Sequence, residues 1–471
     1  MSLKLYGFMV SQPTRAAAWL LKAKGATFEF VPTAPQNGGT KTPEFLKMNP
    51  NGLVPVLKDG DFSIFEGGAI LTYLAEKHQW ADVYPTDLKA RAKVNQYMHW
   101  HHTNTRHATT HVLRPVLMKA RGAATPEQLA LVDKKDETIG RFMDILEKFF
   151  VKPYVAESSQ PTIADYACYC ELDQLEALDL YDFSKYPKTS EWIARMKEIP
   201  FHNEVREDLY NFAASFKNPK APPRECFSSV TSPFLIPHFR FYDASAPLRL
   251  PRQPANALSM VRETVAWLLK VKGYEYELVQ TNPLVGETKT DEFLQMNPNG
   301  LVPVIKCGSF TLFEGNAILA YLAEKNDWHD VFPTKPEERA KVNQYLHWHH
   351  TNTRKGTTQI LLSYLARAKG EATPQQLEYI AKKDEIIGHV VGILEQLLVE
   401  PYIAQTQQPT IADYACYCEL DQLERMGVFD FAKFPKTYAW MERMKEIPFH
   451  DEIRVDLYAF LDAVNLEPVK E

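Results

Sequence analysis

Histidines are the residues whose type and spacing in this chain could most directly bind a metal. His99 and His102 stand three positions apart, and His107 and His111 follow at a spacing of four. Side chains at these spacings share a helix face, and imidazole is a common zinc ligand. In a second, nearly identical stretch of the chain, the last two become lysine and glutamine. With no further ligand at a fixed spacing, we predict no metal site and expect the histidines to pack near a domain cleft.

Cysteine thiols are a second candidate for metal binding or for disulfide formation. Four of them form Cys-Tyr-Cys pairs inside helical patterns, where positions i and i+2 point to different faces and do not readily bridge. We therefore predict buried thiols in a reducing compartment. The cysteines are Cys168, Cys170, Cys226, Cys307, Cys416 and Cys418.

The chain contains one sequence unit twice. Residues 160–176 recur letter for letter at 408–424, and residues 48–56 recur at 296–304. Solenoid repeats are about 20–50 residues long, so this repeat is a duplicated whole unit. We call residues 1–216 copy one and residues 238–471 copy two.

Composition excludes several classes of function. The chain has 471 residues, 45% of them hydrophobic, and a net charge of −6, which gives no electrostatic basis for binding nucleic acid or an anionic membrane. No apolar run approaches the ~18 residues of a membrane span, and the N-terminal residues lack the features of a signal peptide. We therefore expect a cytoplasmic protein with neither nucleic acid nor membrane as a partner.

The periodicity of the sequence changes partway through each copy. Strand and helix patterns first alternate in the order βαβαββα, with strand patterns at 3–8, 27–31, 54–58 and 62–65. From Leu88 onward, helical patterns dominate to about Phe216. The predicted fold class is α/β plus all-α: two tandem units, each a thioredoxin-like βαβαββα domain followed by an all-helical domain. The predicted domains are residues 1–82, 88–216, 238–330 and 336–471, with a proline-rich linker at 217–237.

Two local patterns add detail. Val54-Pro55, repeated at 302–303, begins the third strand, where a proline cannot donate to the ladder, and we expect a cis bond that aims the preceding backbone toward a ligand. Thr162 and Asp165, repeated at 410 and 413, form a capping box that nucleates a helix and has no catalytic role.

Together these motifs resemble the cytosolic glutathione transferases, and the first and last of them resemble the theta class. The resemblance covers nearly the whole chain as two complete units. The motifs are Ser11-Gln12-Pro13-x-Arg15, Asn49-Pro50-x-x-x-Val54-Pro55, Glu66 before Ala69-Ile70-x-x-Tyr73-Leu74, the T-x-x-D box, and Trp100-x-His102-Thr103-x-x-Arg106.

The resemblance implies that a serine hydroxyl at the start of the first helix donates a hydrogen bond to the glutathione sulfur. Ser11 occupies that position, and Ser259 is its weaker counterpart in copy two. A thiol has a pKa near ~8.5, so a donor and a helix N-terminus stabilise the thiolate at neutral pH. The alternative interpretation is that Ser11 merely caps the helix.

The resemblance also implies the other glutathione contacts. Val54 presents its backbone to the cysteinyl part with Leu53 beside it, Lys41 meets the glycine carboxylate, and Glu66 pairs with the γ-glutamyl ammonium group. The residues carried over from the family are Lys41, Leu53, Val54, Glu66, Gly67 and Arg106 in copy one, and Lys289, Leu301, Val302, Glu314 and Gly315 in copy two. Arg106 and its counterpart Arg354 border the thiol site.

Both copies depart from the family at one position. The expected Glu-Ser is Glu66-Gly67 in copy one and Glu314-Gly315 in copy two. Losing one hydrogen bond to a charged group costs roughly 1.5–3 kcal/mol, which weakens glutathione binding. A serine at position 67 is expected to tighten binding, provided that the backbone accepts a side chain.

Copy two departs further. Twelve extra residues stand between its first strand and first helix, and Met260-Val261 replace Gln12-Pro13. This turn must place the catalytic hydroxyl, so we expect copy one to be active and copy two to be impaired.

The resemblance implies a transferase that conjugates glutathione, as co-substrate rather than cofactor, to hydrophobic electrophiles, and that could extend to reducing organic hydroperoxides. One alternative is a glutathione-dependent reductase or deglutathionylase, which would favour a cysteine in place of Ser11. Another is a non-catalytic transferase-like module for assembly or ligand carriage, as in elongation factor 1 gamma. The tandem copies favour an intramolecular pseudo-dimer, with a homodimer of tandem chains as the alternative.

Overall fold

Copy one begins with a four-stranded sheet flanked by helices. The structure is a computed structural model that describes residues 3–217 and 260–464. The sheet order is β2-β1-β3-β4, with β1 and β2 parallel and the other pairs antiparallel. Its elements are β1 (Leu3–Gly7), α1 (Gln12–Ala23), β2 (Phe28–Pro32), α2 (Pro43–Met48), β3 (Val56–Asp59), β4 (Phe62–Phe65) and α3 (Gly67–Lys77). The predicted βαβαββα order of copy one is confirmed.

Local chemistry explains where these elements begin and end. Gly25 and Gly60 adopt positive φ angles, 65° and 61°, after α1 and in the hairpin between β3 and β4. The third strand begins at Val56, two residues later than predicted, because Pro55 has no N–H to donate to the ladder. The Val54-Pro55 and Val302-Pro303 bonds are both cis, which confirms the prediction.

The rest of copy one is helical. Its helices are α4 (Leu88–Trp100), a π-helical turn (Ala108–Leu113), α5 (Arg114–Ala120), α6 (Pro126–Asp133), α7 (Lys135–Phe149), α8 (Ile163–Ala177), α9 (Pro187–Lys197) and α10 (His202–Lys217). The capping box of Thr162 and Asp165 opens α8, as predicted. Helix α10 runs one residue into the predicted linker, and the rest of that linker lies outside the described residues.

Copy two repeats most of this order in its described part. Its elements are α11 (Met260–Val271), α12 (Asp291–Met296), β5 (Val304–Cys307), β6 (Phe310–Phe313), α13 (Gly315–Lys325), α14 (Pro336–His349), a π-helical turn (Gly356–Leu361), α15 (Leu362–Ala368), α16 (Pro374–Ala381), α17 (Lys383–Leu397), α18 (Ile411–Arg425), α19 (Pro435–Lys445) and α20 (His450–Ala463). Residues 274–280, which correspond to β2, form no strand in the described part. In copy one, β2 pairs with β1, whose counterpart in copy two, predicted at 239–242, lies outside the described residues.

The two copies contact each other reciprocally. The first helix of each helical domain packs against the thioredoxin-like domain of the other copy: α14 contacts α3 and β4, and α4 contacts α13 and β6. The cross-copy hydrogen bonds come in matching pairs: Phe65 N–H to Gln344 (3.1 Å) and Phe313 N–H to Gln96 (3.2 Å), then Arg339 to Glu76 (3.0 Å) and Arg91 to Glu324 (2.8 Å). Each copy therefore buries the same face against the other.

The cysteines that the structure describes are free thiols, as predicted. Cys168, Cys170, Cys416 and Cys418 are free and buried, and Cys307 is free and half-buried. Cys226 lies outside the described residues.

Across residues 3–217 and 260–464, no helix combines the length and the apolar character that a membrane crossing requires.

Candidate functional site

Five of the predicted site residues of copy one lie on three segments that meet at one edge of the sheet, and Lys41 and Arg106 lie on other segments. β1 ends at Gly7, β3 begins at Val56 and β4 ends at Phe65. Tyr6 pairs with Val56, and Val56 pairs with Phe65. Because paired positions of neighbouring strands lie side by side, the turn before α1, the Val54-Pro55 loop and Glu66-Gly67 converge there.

Ser11 occupies the N-cap position of α1 without capping it. Its backbone is extended (φ −72°, ψ 123°), and its side chain makes no cap hydrogen bond. Its carbonyl accepts from Arg15 N–H at 2.9 Å, so the helix begins regularly. The hydroxyl is therefore not used by the helix, and it lies where the positive end of the helix dipole favours an anion.

Arg15 anchors the turn that carries Ser11. Its fully buried guanidinium donates to the carbonyl of Val10 at 2.6 Å and to that of Met9 at 3.3 Å. It also donates to Asp173 on α8 at 2.8 Å. Sequence reasoning named Arg15 only as part of a motif. The buried ion pair ties the turn to the helical domain.

Copy two carries the opposite charge at this position. The counterpart of Arg15 is Glu263, which pairs with Arg454, and Arg454 also binds Asp421. Burial raises the pKa of Glu263 to about 7, although Arg454 counteracts this shift. A carboxylate has no N–H to donate to turn carbonyls, so copy two cannot anchor its turn in this way.

Gln12 connects α1 to the helical domain through a second buried network. Its amide donates to Thr109 at 2.7 Å and to Gln174 at 2.5 Å, and Arg106 donates to it at 3.3 Å. In copy two a methionine replaces Gln12, and Gln422, the counterpart of Gln174, has a buried side-chain oxygen without a hydrogen-bond partner in the described part of the chain. The sequence signal for the role of Gln12 was its replacement by methionine in copy two.

Lys41 lies beside the loop that leads to Val54. Leu53 is exposed, and a Cβ placed on Gly52 would lie 2.6 Å from Lys41 Nζ. The same arrangement recurs in copy two, where a Cβ on Gly300 would lie 2.7 Å from Lys289 Nζ. In copy two, Leu301 is exposed and Val302 precedes the cis proline.

Glu66 adopts a backbone conformation that L residues rarely occupy. Its angles are φ 70° and ψ 117°, and Glu314 in copy two repeats them at φ 68° and ψ 108°. Such strain persists only where the surroundings enforce it, often at ligand sites. Burial raises the pKa of both carboxyls to about 7, while Arg106 and Arg354 act in the opposite direction. A cationic partner would therefore stabilise the charged form of each carboxyl.

Gly67 is closely covered by Pro13. A Cβ on Gly67 would lie 2.6 Å from Pro13 Cβ and 3.5 Å from its Cα, and a proline ring cannot swing away. The backbone of copy one therefore does not readily accept a serine side chain at position 67, which was the condition for tighter glutathione binding. Gly315 begins α13 as Gly67 begins α3.

The structure leaves part of the predicted site of copy two undescribed. Ser259 and the twelve extra residues lie outside the described residues. Lys289, Leu301, Val302 and Glu314 repeat the local geometry of their counterparts. Arg106 and Arg354 each bind a buried glutamate, Glu171 at 2.5 Å and Glu419 at 2.7 Å. Both members of each pair belong to the helical domain of their own copy.

His99 and His102 lie at the contact between the copies rather than at a domain cleft, whereas the rings of His107 and His111 contact each other at 4.2 Å. His99 Nδ1 lies 3.1 Å from His350 Nε2, and His102 Nε2 lies 3.0 Å from His347 Nδ1. The rings of His99 and His347 stack at 4.5 Å, and those of His102 and His350 at 4.8 Å. Among residues 3–217 and 260–464, no group of three or more His, Cys, Asp or Glu side chains could hold a metal ion. The predicted packing role was right in kind, but its place was wrong because the sequence did not show how the copies meet.

Known protein families match this chain twice. The N-terminal domain of glutathione S-transferase matches residues 1–76 and 256–324, and its C-terminal domain matches residues 105–200 and 357–448. The second pair of matches repeats the first in order. The family assignment therefore covers both copies.

Individual relatives align with about half of this chain. Glutathione S-transferase T1 of Arabidopsis thaliana is 34% identical over 232 residues, which cover 46% of this chain and 93% of that protein. Glutathione S-transferase T2 of Arabidopsis thaliana is also 34% identical, but the chain covers only 38% of it. Glutathione S-transferase theta-2B of Homo sapiens is 35% identical over 205 residues, 42% of this chain and 81% of that protein. A solved structure of human glutathione transferase theta-2 with glutathione and an unknown ligand is 30% identical, covers 47% of this chain and 93% of that chain, and has a TM-score of 0.43.

The repeated sequence matches and the theta-class relatives lead to the same assignment. The chain therefore belongs to the glutathione S-transferase family, as a theta-like member in which the whole two-domain unit occurs twice in tandem.

Proposed function

We propose that this protein is a glutathione transferase in which copy one activates the thiol of glutathione for attack on hydrophobic electrophiles. The observation that carries the proposal is the unused hydroxyl of Ser11 at the start of α1, on the same sheet edge as Val54 and Glu66. The hydroxyl donates to the thiolate, Glu66 binds the ammonium group, and Lys41 binds the glycine carboxylate. Leu53 and Val54 bind the cysteinyl part through the backbone.

Catalysis depends on how firmly the turn before α1, which carries Ser11, is held in place. In copy one, Arg15 and Gln12 hold the turn and α1 against the helical domain. In copy two, Glu263 and Met260 replace them, and the twelve extra residues lie in the same turn. Because a displacement of ~1 Å can cost on the order of a hundredfold in rate, we assign the activity to copy one. The same activated thiol supplies a route to reducing organic hydroperoxides.

The direct test is a calorimetric titration of the full chain with glutathione, followed by a conjugation assay with a reactive electrophile. We expect saturable binding and Ser11-dependent conjugation. The second candidate is a non-catalytic transferase-like module, which the glycine shared at positions 67 and 315 favours. Binding without conjugation would support that candidate, and no binding at all would refute a glutathione site.

A second part of the proposal concerns assembly and setting. The reciprocal hydrogen bonds between the copies support an intramolecular pseudo-dimer, so that one chain has the interface that two single-unit chains would form. The proposed domain limits remain 1–82, 88–216, 238–330 and 336–471. The free thiols of the described cysteines support a reducing, cytoplasmic setting.

Gly67→Ser is expected to weaken glutathione binding, contrary to the effect expected from the family pattern. The new Cβ would collide with Pro13, and overpacking of this kind costs about 1–3 kcal/mol. Calorimetry should therefore show an affinity at least about fivefold lower.

Gly140→Ser is the matched control, because a Cβ at Gly140 would meet only the Tyr186 hydroxyl at 3.9 Å. We expect it to bind glutathione with unchanged affinity. Tighter binding by Gly67→Ser would show that the start of α3 adapts and that the missing hydroxyl alone weakens the native site.

A further inference from the structure

A tryptophan of copy two reaches the glutathione loop of copy one. Trp348 is fully buried near the end of α14, and its indole N–H donates to Asn51 Oδ1 at 2.7 Å. Asn51 lies in the loop between α2 and β3 that presents Val54. The contact therefore joins the helical domain of one copy to the proposed ligand-binding loop of the other.

Hydrogen bonds inside the loop carry this contact to the backbone beside Val54. The backbone N–H and the side-chain amide of Asn51 donate to Asn49 Oδ1 at 3.0 and 2.7 Å. The side-chain amide of Asn49 donates to the carbonyl of Leu53 at 2.7 Å. Asn49 is buried, so its side chain is shielded from competing water.

The indole sets the orientation of the Asn51 side chain in this network. An indole N–H only donates, so Asn51 must turn its oxygen toward Trp348 and its amide toward Asn49. Asn49 then accepts with its oxygen and must turn its own amide toward the Leu53 carbonyl. Without the indole, the side-chain amide of Asn51 could rotate by half a turn and lose its hydrogen bond to Asn49. Asn49 itself stays oriented by the Asn51 backbone N–H and the Leu53 carbonyl.

The same network occurs in the opposite direction. Trp100 of copy one donates to Asn299 at 2.7 Å, Asn299 donates to Asn297 at 2.7 Å, and Asn297 donates to the Leu301 carbonyl at 2.7 Å. Each copy thus donates one tryptophan N–H to the loop of the other copy. A copy separated from its partner would lack the donor that orders its own loop.

We infer that Trp348 is a positioning residue for the glutathione site of copy one, so that this site is complete only when copy two is docked against it. The inference rests on the proposed function. Copy two then contributes to the glutathione site of copy one without catalysing a reaction itself. Because the loop binds the cysteinyl part of glutathione while Ser11 acts on the sulfur, the effect falls on KM for glutathione more than on kcat.

Trp348→Phe in the full chain tests this inference, because it keeps a buried aromatic ring and removes the N–H. We expect KM for glutathione to rise about three- to tenfold, the effect of one ordinary hydrogen bond, with kcat within about twofold of the native value. In a cycle with Asn51→Ala, the double variant should show no larger KM than the more affected single variant.

Trp267→Phe is the matched control. Trp267 is equally buried within copy two, and its indole N–H donates to the Pro448 carbonyl at 2.9 Å, away from copy one. We expect its KM for glutathione to equal that of the native chain.

Several outcomes would overturn the inference. These are an unchanged KM in Trp348→Phe, an equal rise in Trp267→Phe, or additive effects with Asn51→Ala. If Trp348→Phe did not fold, Asn51→Ala alone would decide, and an unchanged KM would reject the network. A native chain that binds no glutathione would refute the proposed function instead, before any variant is compared.

Discussion

Ser11→Ala is expected to lower the turnover of the full chain about tenfold or more, with the fold and the glutathione affinity largely kept. The hydroxyl makes no cap hydrogen bond, so its loss costs α1 little. Without this donor the bound thiol keeps a higher pKa, and less thiolate is present near neutral pH. The absorbance of the bound thiolate, followed against pH in native and variant protein, measures this shift directly.

Ser259→Ala is the matched control in copy two. Its turn carries twelve extra residues, and its first helix has Glu263 where Arg15 anchors copy one. We therefore expect turnover close to native. Equal damage from the two substitutions would show that both copies catalyse, and an unchanged thiolate titration in Ser11→Ala would remove Ser11 from the mechanism.

Acidification below about pH 6.5 is expected to destabilise the folded chain strongly through the four histidines between the copies. Burial and neighbouring imidazoles lower the pKa of His99, His102 and His350, and burial lowers that of His347 to about 3. The unfolded chain binds protons at these sites near pH 6.5, whereas the folded chain does not. The histidine contribution to stability therefore falls as the pH falls, by up to about 1.4 kcal/mol per pH unit for each histidine. The carboxyls of Glu66, Glu263 and Glu314, whose pKa burial raises to about 7, act in the opposite direction and offset part of this loss.

No carboxylate forms an ion pair with any of these four rings in the described part of the chain, and nearby Arg106 lowers the pKa of His102 further. Chemical unfolding measured from pH 7.5 to 5.5 gives the net slope of the native chain, and variants isolate the histidine part of it. Replacing His99 and His350 together by glutamine should reduce it, whereas His329→Gln, at an exposed position, should leave it unchanged. An unchanged slope after the double replacement of His99 and His350 would contradict neutral, buried imidazoles.

The sequence predicted much of the fold because the signals for it are local. Alternation gave the strands near 3–8 and 62–65, and the capping box gave the start of α8. The Val-Pro pairs indicated the cis bonds, and the internal repeat indicated the second unit. Each of these signals depends on residues a few positions apart, or on the comparison of one copy with the other.

The candidate site could be predicted only in outline. Ser11, Val54 and Glu66 were placed by their motifs, and the sheet register brings their segments to one edge. The contact of Gly67 with Pro13, which reverses the expected effect of a serine, depends on how α1 meets α3. The strained backbone of Glu66 is likewise set by its surroundings.

By itself, the amino-acid sequence determined the tandem unit, its helices and strands, and the residue types available for thiol chemistry. Only the tertiary structure decided which distant side chains meet: Arg15 with Asp173, Trp348 with Asn51, and the four histidines between the copies. The physical reason is that these contacts join segments about 160 to 300 residues apart, and a buried donor or ion needs a partner wherever packing supplies one. No local pattern specifies that partner, because it is fixed by the packing of whole domains.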